Sequence, residues 1–162
     1  MLHIALYQPD IPQNVGAAIR LCACLGLTLD VIEPCGFPWD KKKIRQSAMD
    51  YIDHVTLNRH NSWDSFEDHY EDRRFILMTT KASQDYTEFT FSDKDILIAG
   101  RESAGVPDDI HNQMDGRVLI PMHGEARSLN IINATAMITG EALRQTTPLP
   151  SSCGLTAGSG KS

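Results

Sequence analysis

Short apolar runs alternate with stretches of helical periodicity along most of this chain, and that alternation limits the folds open to it. Strands are predicted over residues 2–7, 27–32, 54–57, 75–79, 95–99 and 118–120. Helices are predicted between them: one capped by Asn14 and stopped at Gly26, one opened by Asp40, and two over 62–69 and 128–144. Because strands that alternate with helices pair in parallel, we predict an α/β fold with a parallel sheet covered by helices on both faces.

The length and composition fit one globular domain. The chain has 162 residues, of which 41% are hydrophobic and 22% charged. No apolar run has the length of a membrane span, and the first seven residues have the character of a strand rather than of a signal peptide. After Thr146 the sequence becomes rich in Pro, Ser, Gly and Thr, so we predict a domain over 1–145 and a disordered tail over 146–162.

The charge distribution restricts the partners of the protein. A net charge of −6 excludes a surface that is basic throughout, but it is compatible with a local basic patch. The densest positive run is Lys41, Lys42, Lys43 and Arg45. It fits a solvated helical face, and it also fits a surface where a phosphate backbone docks.

The cysteines and histidines indicate neither a disulfide framework nor a metal site. The four cysteines are Cys22, Cys24, Cys35 and Cys153, without a Cys-x-x-Cys pair, which favours free thiols and a cytoplasmic protein. Cys22 and Cys24 fall on roughly opposite sides of the first helix, and the histidines lack ligand spacing. We therefore predict no metal. The terminal Gly-Ser-Gly-Lys-Ser imitates a phosphate-binding loop, but no helix follows it, so we predict a solvated tail.

Ligands of parallel α/β sheets bind beyond the carboxyl ends of the strands, which directs attention to the loops there. Asn14 and Arg20 lie on the first helix, beside the small Gly16. The small residues there would let another backbone or a ligand approach closely, and the pattern also fits a capped helix with an arginine on its wet flank. Glu102 follows Gly100 at the end of a strand; it is a candidate site carboxylate, or a residue neutralised by Arg101 or a helix dipole.

The last helix carries the third candidate segment. Ser128 is its predicted N-cap, which places Asn130 in the first turn with its amide available to a ligand or to neighbouring loops. Two apolar stripes run along this helix, so we expect it to be buried on both sides, with a partner subunit as the second cover. Gly140 within it predicts close packing at that point.

Taken together and in this order, these segments resemble the motifs of the SPOUT-class RNA 2′-O-methyltransferases over 1–145. Within that class the chain is most similar to the small single-domain group that acts on the wobble position, cytidine or uridine 34, of tRNA. The motifs that match run through the whole domain: Leu6-Tyr7-x-Pro9, Pro12-x-Asn14-x-Gly16 with Arg20, Ile32-Glu33-Pro34-x-Gly36-Phe37, Thr79-Thr80-Lys81, Gly100-x-Glu102-x-x-Gly105-x-Pro107, and Ile120-Pro121-Met122 ahead of Arg127-Ser128-Leu129-Asn130.

The resemblance implies a C-terminal trefoil knot whose loops hold S-adenosylmethionine, a homodimer built on the last helix, and a tRNA substrate. By position it implies cofactor binding by Met78, Gly100, Ile120 and Ser128. It implies a catalytic set of Asn14, Arg20, Glu102, Ser128 and Asn130. With no separate RNA-binding module, the RNA phosphates are expected near Lys41, Lys42, Lys43, Arg45 and Arg127.

The residue types suit transfer of a methyl group to a ribose hydroxyl. Arginine almost never releases its proton, so Arg20 is expected to stabilise the developing alkoxide or grip the adjacent phosphate. Glu102 is expected to hold Arg20 or a backbone amide in place. Two alternatives remain: an RNA-binding protein of this fold without catalysis, and methylation at another RNA position. A dinucleotide-dependent enzyme is disfavoured, because no Gly-x-Gly-x-x-Gly follows the first strand.

Overall fold

The sheet is built from six strands, and each strand pairs with its neighbours in parallel. The computed structural model describes residues 1–147. The strands are β1 (His3–Tyr7), β2 (Thr28–Ile32), β3 (Leu57–His60), β4 (Phe75–Met78), β5 (Ile96–Ala99) and β6 (Gly116–Val118). Their order is β3-β2-β1-β5-β4-β6, so the central strand β1 lies beside β5, although β1 ends at Tyr7 and β5 begins only at Ile96.

Helices cover both faces of the sheet, as the sequence predicts. They are α1 (Pro12–Leu25), α2 (Lys41–Ala48), α3 (Trp63–His69), α4 (Asp108–Gln113) and α5 (Ile131–Thr146), with a 3₁₀ helix over Met49–His54. A hydrophobic core lies on each face of the sheet, and alternate residues of β1 point into one or the other. Ile4 and Leu6 pack toward α1, α2 and α5, whereas Ala5 and Tyr7 pack toward α3 and α4. No helix in the described residues is long and apolar enough to cross a membrane.

Local signals predict several helix ends correctly. Asp40 caps α2 by accepting from the backbone N–H groups of Lys42 and Lys43, and Ser62 caps α3 through Ser65 N–H. Gly26 ends α1 at φ 67°, the left-handed conformation that glycine adopts at least cost. These ends depend on one residue and the turn beside it, which is why the sequence reveals them.

Two predicted caps are wrong. Helix α1 begins at Pro12 after Ile11, so Asn14 lies inside the first turn and its side chain points to another loop. Proline starts a helix well because its fixed φ suits the first position and its missing N–H is not needed there. Helix α5 is capped by Asn130 instead of Ser128: the Asn130 side-chain oxygen accepts from the N–H groups of Ile132 and Asn133.

Two strands lie at other residues than predicted. Pairing between β2 and β3 starts at Leu29 with Leu57, because residues 49–54 are taken up by the 3₁₀ helix. Strand β6 ends at Val118, two residues before the predicted end; beyond it Leu119 bonds to the 84–86 segment rather than to a neighbouring strand. Helix α5 continues one residue past the predicted domain end at 145, and the predicted tail from residue 148 onward lies outside the described residues, as does Cys153.

Helix α5 buries residues of both predicted apolar stripes within the chain and leaves a further face open. Its sheet-facing residues include Ile132, Ile138 and Ala142, each 9% exposed or less. On the opposite side Met137 is 44% exposed, and a Cβ at Gly140 would meet no atom within 4 Å in the described chain. The predicted close packing at Gly140 is therefore wrong within one subunit, and the face around Met137 has no cover in the described chain.

Candidate active site

The loops at the carboxyl ends of β4, β5 and β6 meet the start of α5 around one cavity of about 730 Å³. Apolar side chains from the sheet and from α5, including Leu77, Val118 and Ile138, line its interior. Polar groups from the 79–81 and 100–105 segments lie at its margin. The volume and this division between apolar walls and a few polar groups are typical of a site for a small organic ligand or cofactor.

The structure brings together residues that are far apart in sequence. The four residues with an implied cofactor role, Met78, Gly100, Ile120 and Ser128, all line the cavity. Asn14, Glu102 and Asn130 line it as well. Arg20 is the exception. It is exposed on α1, about 9 Å along the helix axis from Asn14, and it is not among the residues that line the cavity.

Glu102 connects the loop after β5 to the loop after β1. Its Oε2 accepts from the backbone N–H of Asp10 at 2.8 Å, and its Oε1 accepts from Asn14 Nδ2 at 2.9 Å. Of its two expected partners, it therefore bonds to the backbone amide and not to Arg20. Neutralisation of Glu102 by Arg101 is not seen, because Arg101 turns to Asp10, 3.2 Å away. Asn14 is 9% exposed, so this pair stabilises the cavity wall from inside.

Asp10 is a second organising carboxylate, and the sequence analysis missed it. Its Oδ2 accepts from Ser103 Oγ at 2.6 Å and from Ser103 N–H at 3.2 Å, while its Oδ1 accepts from Arg101. The Ser103 hydroxyl bond, with help from Arg101, lowers the pKa of Asp10 against the opposing effect of burial. The only signal in the sequence was an acidic residue in the Gln8-Pro9-Asp10 segment after a buried strand, which a turn also explains.

The segment before α5 supplies groups that remain available to a ligand. Ser128 and Asn130 are both exposed at the cavity. The side-chain oxygen of Asn130 is used as the helix cap, so its amide nitrogen is the part left to donate to a bound molecule. Arg127 also lines the cavity and is exposed, which adds a positive charge at its margin.

Arg20 is held by an aromatic ring beside α1. Its guanidinium carbon lies 5.2 Å from the centroid of the Tyr51 ring, within the range of a cation–π contact. Tyr51 belongs to the 3₁₀ helix that packs on α1. The contact orients the guanidinium without neutralising it, so Arg20 keeps its charge for an anion from outside the chain.

Comparison with known proteins identifies the family. Residues 1–140 match the SpoU rRNA Methylase family. A relative from Beijerinckia indica, named tRNA (cytidine(34)-2′-O)-methyltransferase, is 54% identical over 144 residues, which are 88% of this chain and 90% of the relative. The chain therefore belongs to the SpoU rRNA methylase family.

Solved structures show the same fold. One, described as giving structural insights into the 2-OH methylation of C/U34 on tRNA, superposes with a TM-score of 0.85 at 36% identity, covering 90% of this chain and 95% of the other. Another is the SpoU methyltransferase AviRb from Streptomyces viridochromogenes in complex with the cofactor AdoMet. It has a TM-score of 0.80 at 28% identity and covers 90% of this chain and 60% of that one.

Proposed function

We propose that this protein transfers the methyl group of S-adenosylmethionine to the ribose 2′-hydroxyl of nucleotide 34, a cytidine or modified uridine, in tRNA. The observation that carries the proposal is the 54% identical relative named tRNA (cytidine(34)-2′-O)-methyltransferase, which this chain matches over 90% of its length. The AdoMet complex of AviRb supports the choice of methyl donor. S-adenosylhomocysteine is the other product, and no metal is required.

The cavity suits the proposed cofactor. Its apolar interior around Leu77, Val118 and Ile138 can enclose an adenine ring, and Met78, Gly100 and Ile120 expose strand-end backbone at which its polar edge can bond. When bound, the cofactor supplies an electrophilic methyl group on a sulfonium. The Glu102–Asn14 pair keeps two of the enclosing loops at a fixed separation, which orients whatever binds between them.

The side chains that meet the RNA have separate roles in this proposal. Ser128 and the amide nitrogen of Asn130 hydrogen-bond the ribose and align its hydroxyl with the methyl group. Arg20 donates to the phosphate next to that ribose or to the developing alkoxide, and lowers the energy of the negative charge. The guanidinium does not take the proton, because it has donors and no acceptor atom; the phosphate or water accepts it.

A methylation assay tests the proposal directly. Bulk tRNA from a strain that lacks the gene is incubated with the protein and radiolabelled S-adenosylmethionine, and the labelled nucleotide is mapped. We expect label on the ribose of nucleotide 34. The R20A variant should bind the cofactor with unchanged affinity by calorimetry and lose methyl transfer, whereas Y51F, which keeps the aromatic ring, should retain it. Binding of tRNA without incorporation would instead indicate a non-catalytic RNA-binding protein; label at another nucleotide would refute the assignment of position.

We also propose a homodimer in which a second copy covers the free side of α5. The exposed Met137 and the open space at Gly140 support this, because both lie on the side of α5 that the described chain leaves uncovered. A reducing cytoplasm is the compartment that the proposed tRNA substrate requires. The three cysteines in the described residues are unpaired, which is compatible with it.

We propose that the C-terminal part of the domain forms the trefoil knot. The end of α5 is tied to the 89–91 segment: Gln145 donates to the Phe89 carbonyl and accepts from Phe91 N–H, both at 2.9 Å. This supports a helix that returns beneath a loop formed earlier in the chain. Mechanical extension of single molecules tests it, because a knotted chain has a shorter final contour length than an unknotted chain of the same number of residues.

A further inference from the structure

A second cavity, of about 260 Å³, lies at the β3 edge of the sheet and shares none of its lining residues with the first. Helix α2, the 3₁₀ helix and β3 form its sides, and Trp39 from the loop after β2 forms one wall. The lining is apolar at Ile44, Ile52 and Leu57. The remaining lining residues are basic: Lys41, Arg45 and Arg59.

Trp39 and Arg59 form a stacked pair at this cavity. The Arg59 guanidinium carbon lies 4.4 Å from the centroid of the Trp39 ring, and Glu33 holds the guanidinium through an ion pair. Trp39 is half-buried, and the side chain of Arg59 is 40% exposed. A fixed aromatic ring beside a guanidinium plane offers two flat surfaces on which a nucleobase can stack.

The charges around the cavity favour a polyanion. Lys41, Lys42 and Lys43 are exposed on the first turn of α2, and none has an ion-pair partner in the described part of the chain. Arg45 differs, because Asp53 accepts from both of its terminal nitrogens at 2.9 Å. Three unneutralised lysines on a protein of net charge −6 form a local positive surface, and phosphate groups are the anions that accompany nucleobases.

Residues next to the second cavity contact residues next to the candidate active site. Gly36, in the loop that leads to Trp39, donates its N–H to the Pro9 carbonyl at 2.9 Å, and the neighbouring Asp10 is bonded to Ser103. Ile52 lines the cavity, and the adjacent Tyr51 holds Arg20. One strand of RNA can therefore contact Arg20 and the second cavity on two sides of the same 3₁₀ helix.

We propose that the Trp39–Arg59 cavity binds a nucleobase of the substrate RNA other than the methylated nucleotide, with Lys41, Lys42 and Lys43 on the flanking phosphates. The base stacks on the exposed parts of the Trp39 and Arg59 planes. This inference rests on the proposed function in taking the substrate tRNA as its ligand. Removal of one such stacking contact weakens RNA binding by about tenfold.

Tryptophan fluorescence tests the contact without a destabilising variant. The chain has two tryptophans, and Trp63 is 8% exposed inside an aromatic cluster on α3. Titration with an anticodon stem-loop RNA should quench the emission of the wild type. The W39F variant, in which only Trp63 reports, should show no quenching although it still binds RNA. Unchanged wild-type emission at RNA concentrations that saturate a filter-binding assay would overturn the proposal.

Steady-state methylation supplies the second readout. R59A and W39A should raise KM for tRNA by about tenfold and leave kcat within about twofold, because the base contact is made away from the reacting atoms. K94A is the matched control: Lys94 is 64% exposed and directly precedes the Asp95–β5 segment, and β2 and β1 lie between β5 and β3 in the sheet. Unchanged KM in folded R59A and W39A would refute the inference and leave the proposed function intact. Quenching by RNA without methyl transfer would support the inference and refute the function.

Discussion

Replacement of Gly16 by alanine tests whether the close approach of α1 and α2 stabilises the fold. Gly16 is in the first half of α1, and a Cβ built there would overlap Ser47 Cβ and lie 2.7 Å from the Ser47 carbonyl carbon. It would also lie 3.0 Å from Ala48 N. Two of these three atoms are backbone and the third is a Cβ, whose position the backbone fixes, so a rotamer change cannot relieve the overlap. The helices must separate by roughly 1 Å to bring the closest contact to an ordinary 3.4 Å.

The expected magnitude follows from two opposing effects. In a helix interior, alanine is favoured over glycine by about 1 kcal/mol. Overpacking of a closed interface costs up to about 3 kcal/mol, and we take this upper value because the overlapped atoms include backbone. The net effect is a loss of about 2 kcal/mol, or a fall in Tm of about 4–8 °C for a domain of this size.

Thermal unfolding at fixed protein concentration measures this effect. S47G, which removes the overlapped Cβ and leaves the backbone atoms, gives the control in a double-mutant cycle. We expect G16A and S47G to be coupled by about 1 kcal/mol, so that the double variant is more stable than the sum of the single changes predicts. If G16A melts at or above the wild-type temperature, α1 and α2 do not pack as described.

Three further changes test the site, the core and the subunit contact. N14D places a second carboxylate where Asn14 Nδ2 now lies, 2.9 Å from Glu102 Oε1. The Tm of this variant should fall by several degrees at pH 7 and recover near pH 4, where the two carboxyl groups can share a proton. N14A, which adds no carboxylate, should show no such recovery. Burial raises the pKa of Asp30, but hydrogen bonds from two histidines and a tyrosine outweigh burial, so the net effect is a lowered pKa. The ionised Asp30 therefore stabilises the fold above about pH 4, and this stabilisation is lost as the pH falls through the folded-state pKa. D30N should therefore cost about 2–3 kcal/mol in urea unfolding at pH 7 and less at pH 3; an equal cost at both pH values would contradict this assignment. M137D should convert the proposed dimer into a folded monomer in light scattering, and a wild type that is already monomeric would exclude the dimer.

Much of the local structure can be predicted from the sequence. Strand and helix periodicity, the caps at Asp40 and Ser62, and the left-handed stop at Gly26 depend on residues within one or two turns of each other. The same local signals are weak where two residues compete for one role. Asn14 and Ser128 are good capping residues, yet Pro12 starts one helix earlier and Asn130 starts the other later.

The functional loops show what local sequence patterns cannot predict. The sequence indicated that the strand ends carry the chemistry, and the residues quoted there do line one cavity, apart from Arg20. The sequence did not reveal Asp10 or the cavity at Trp39, because each becomes recognisable only through its contacts. Asp10 acquires its role from Ser103 and Arg101, and Trp39 from Arg59.

The sequence by itself determined which segments become strands and helices and which residue types face a ligand, because periodicity and capping act over a few residues. Only the tertiary structure decided which of those residues meet. The pairing of β1 with β5 brings Asn14 to Glu102 across 88 residues, and it leaves Arg20 on an exposed helix face against Tyr51. Strand order is set by the packing of the whole sheet, and no short-range pattern encodes it.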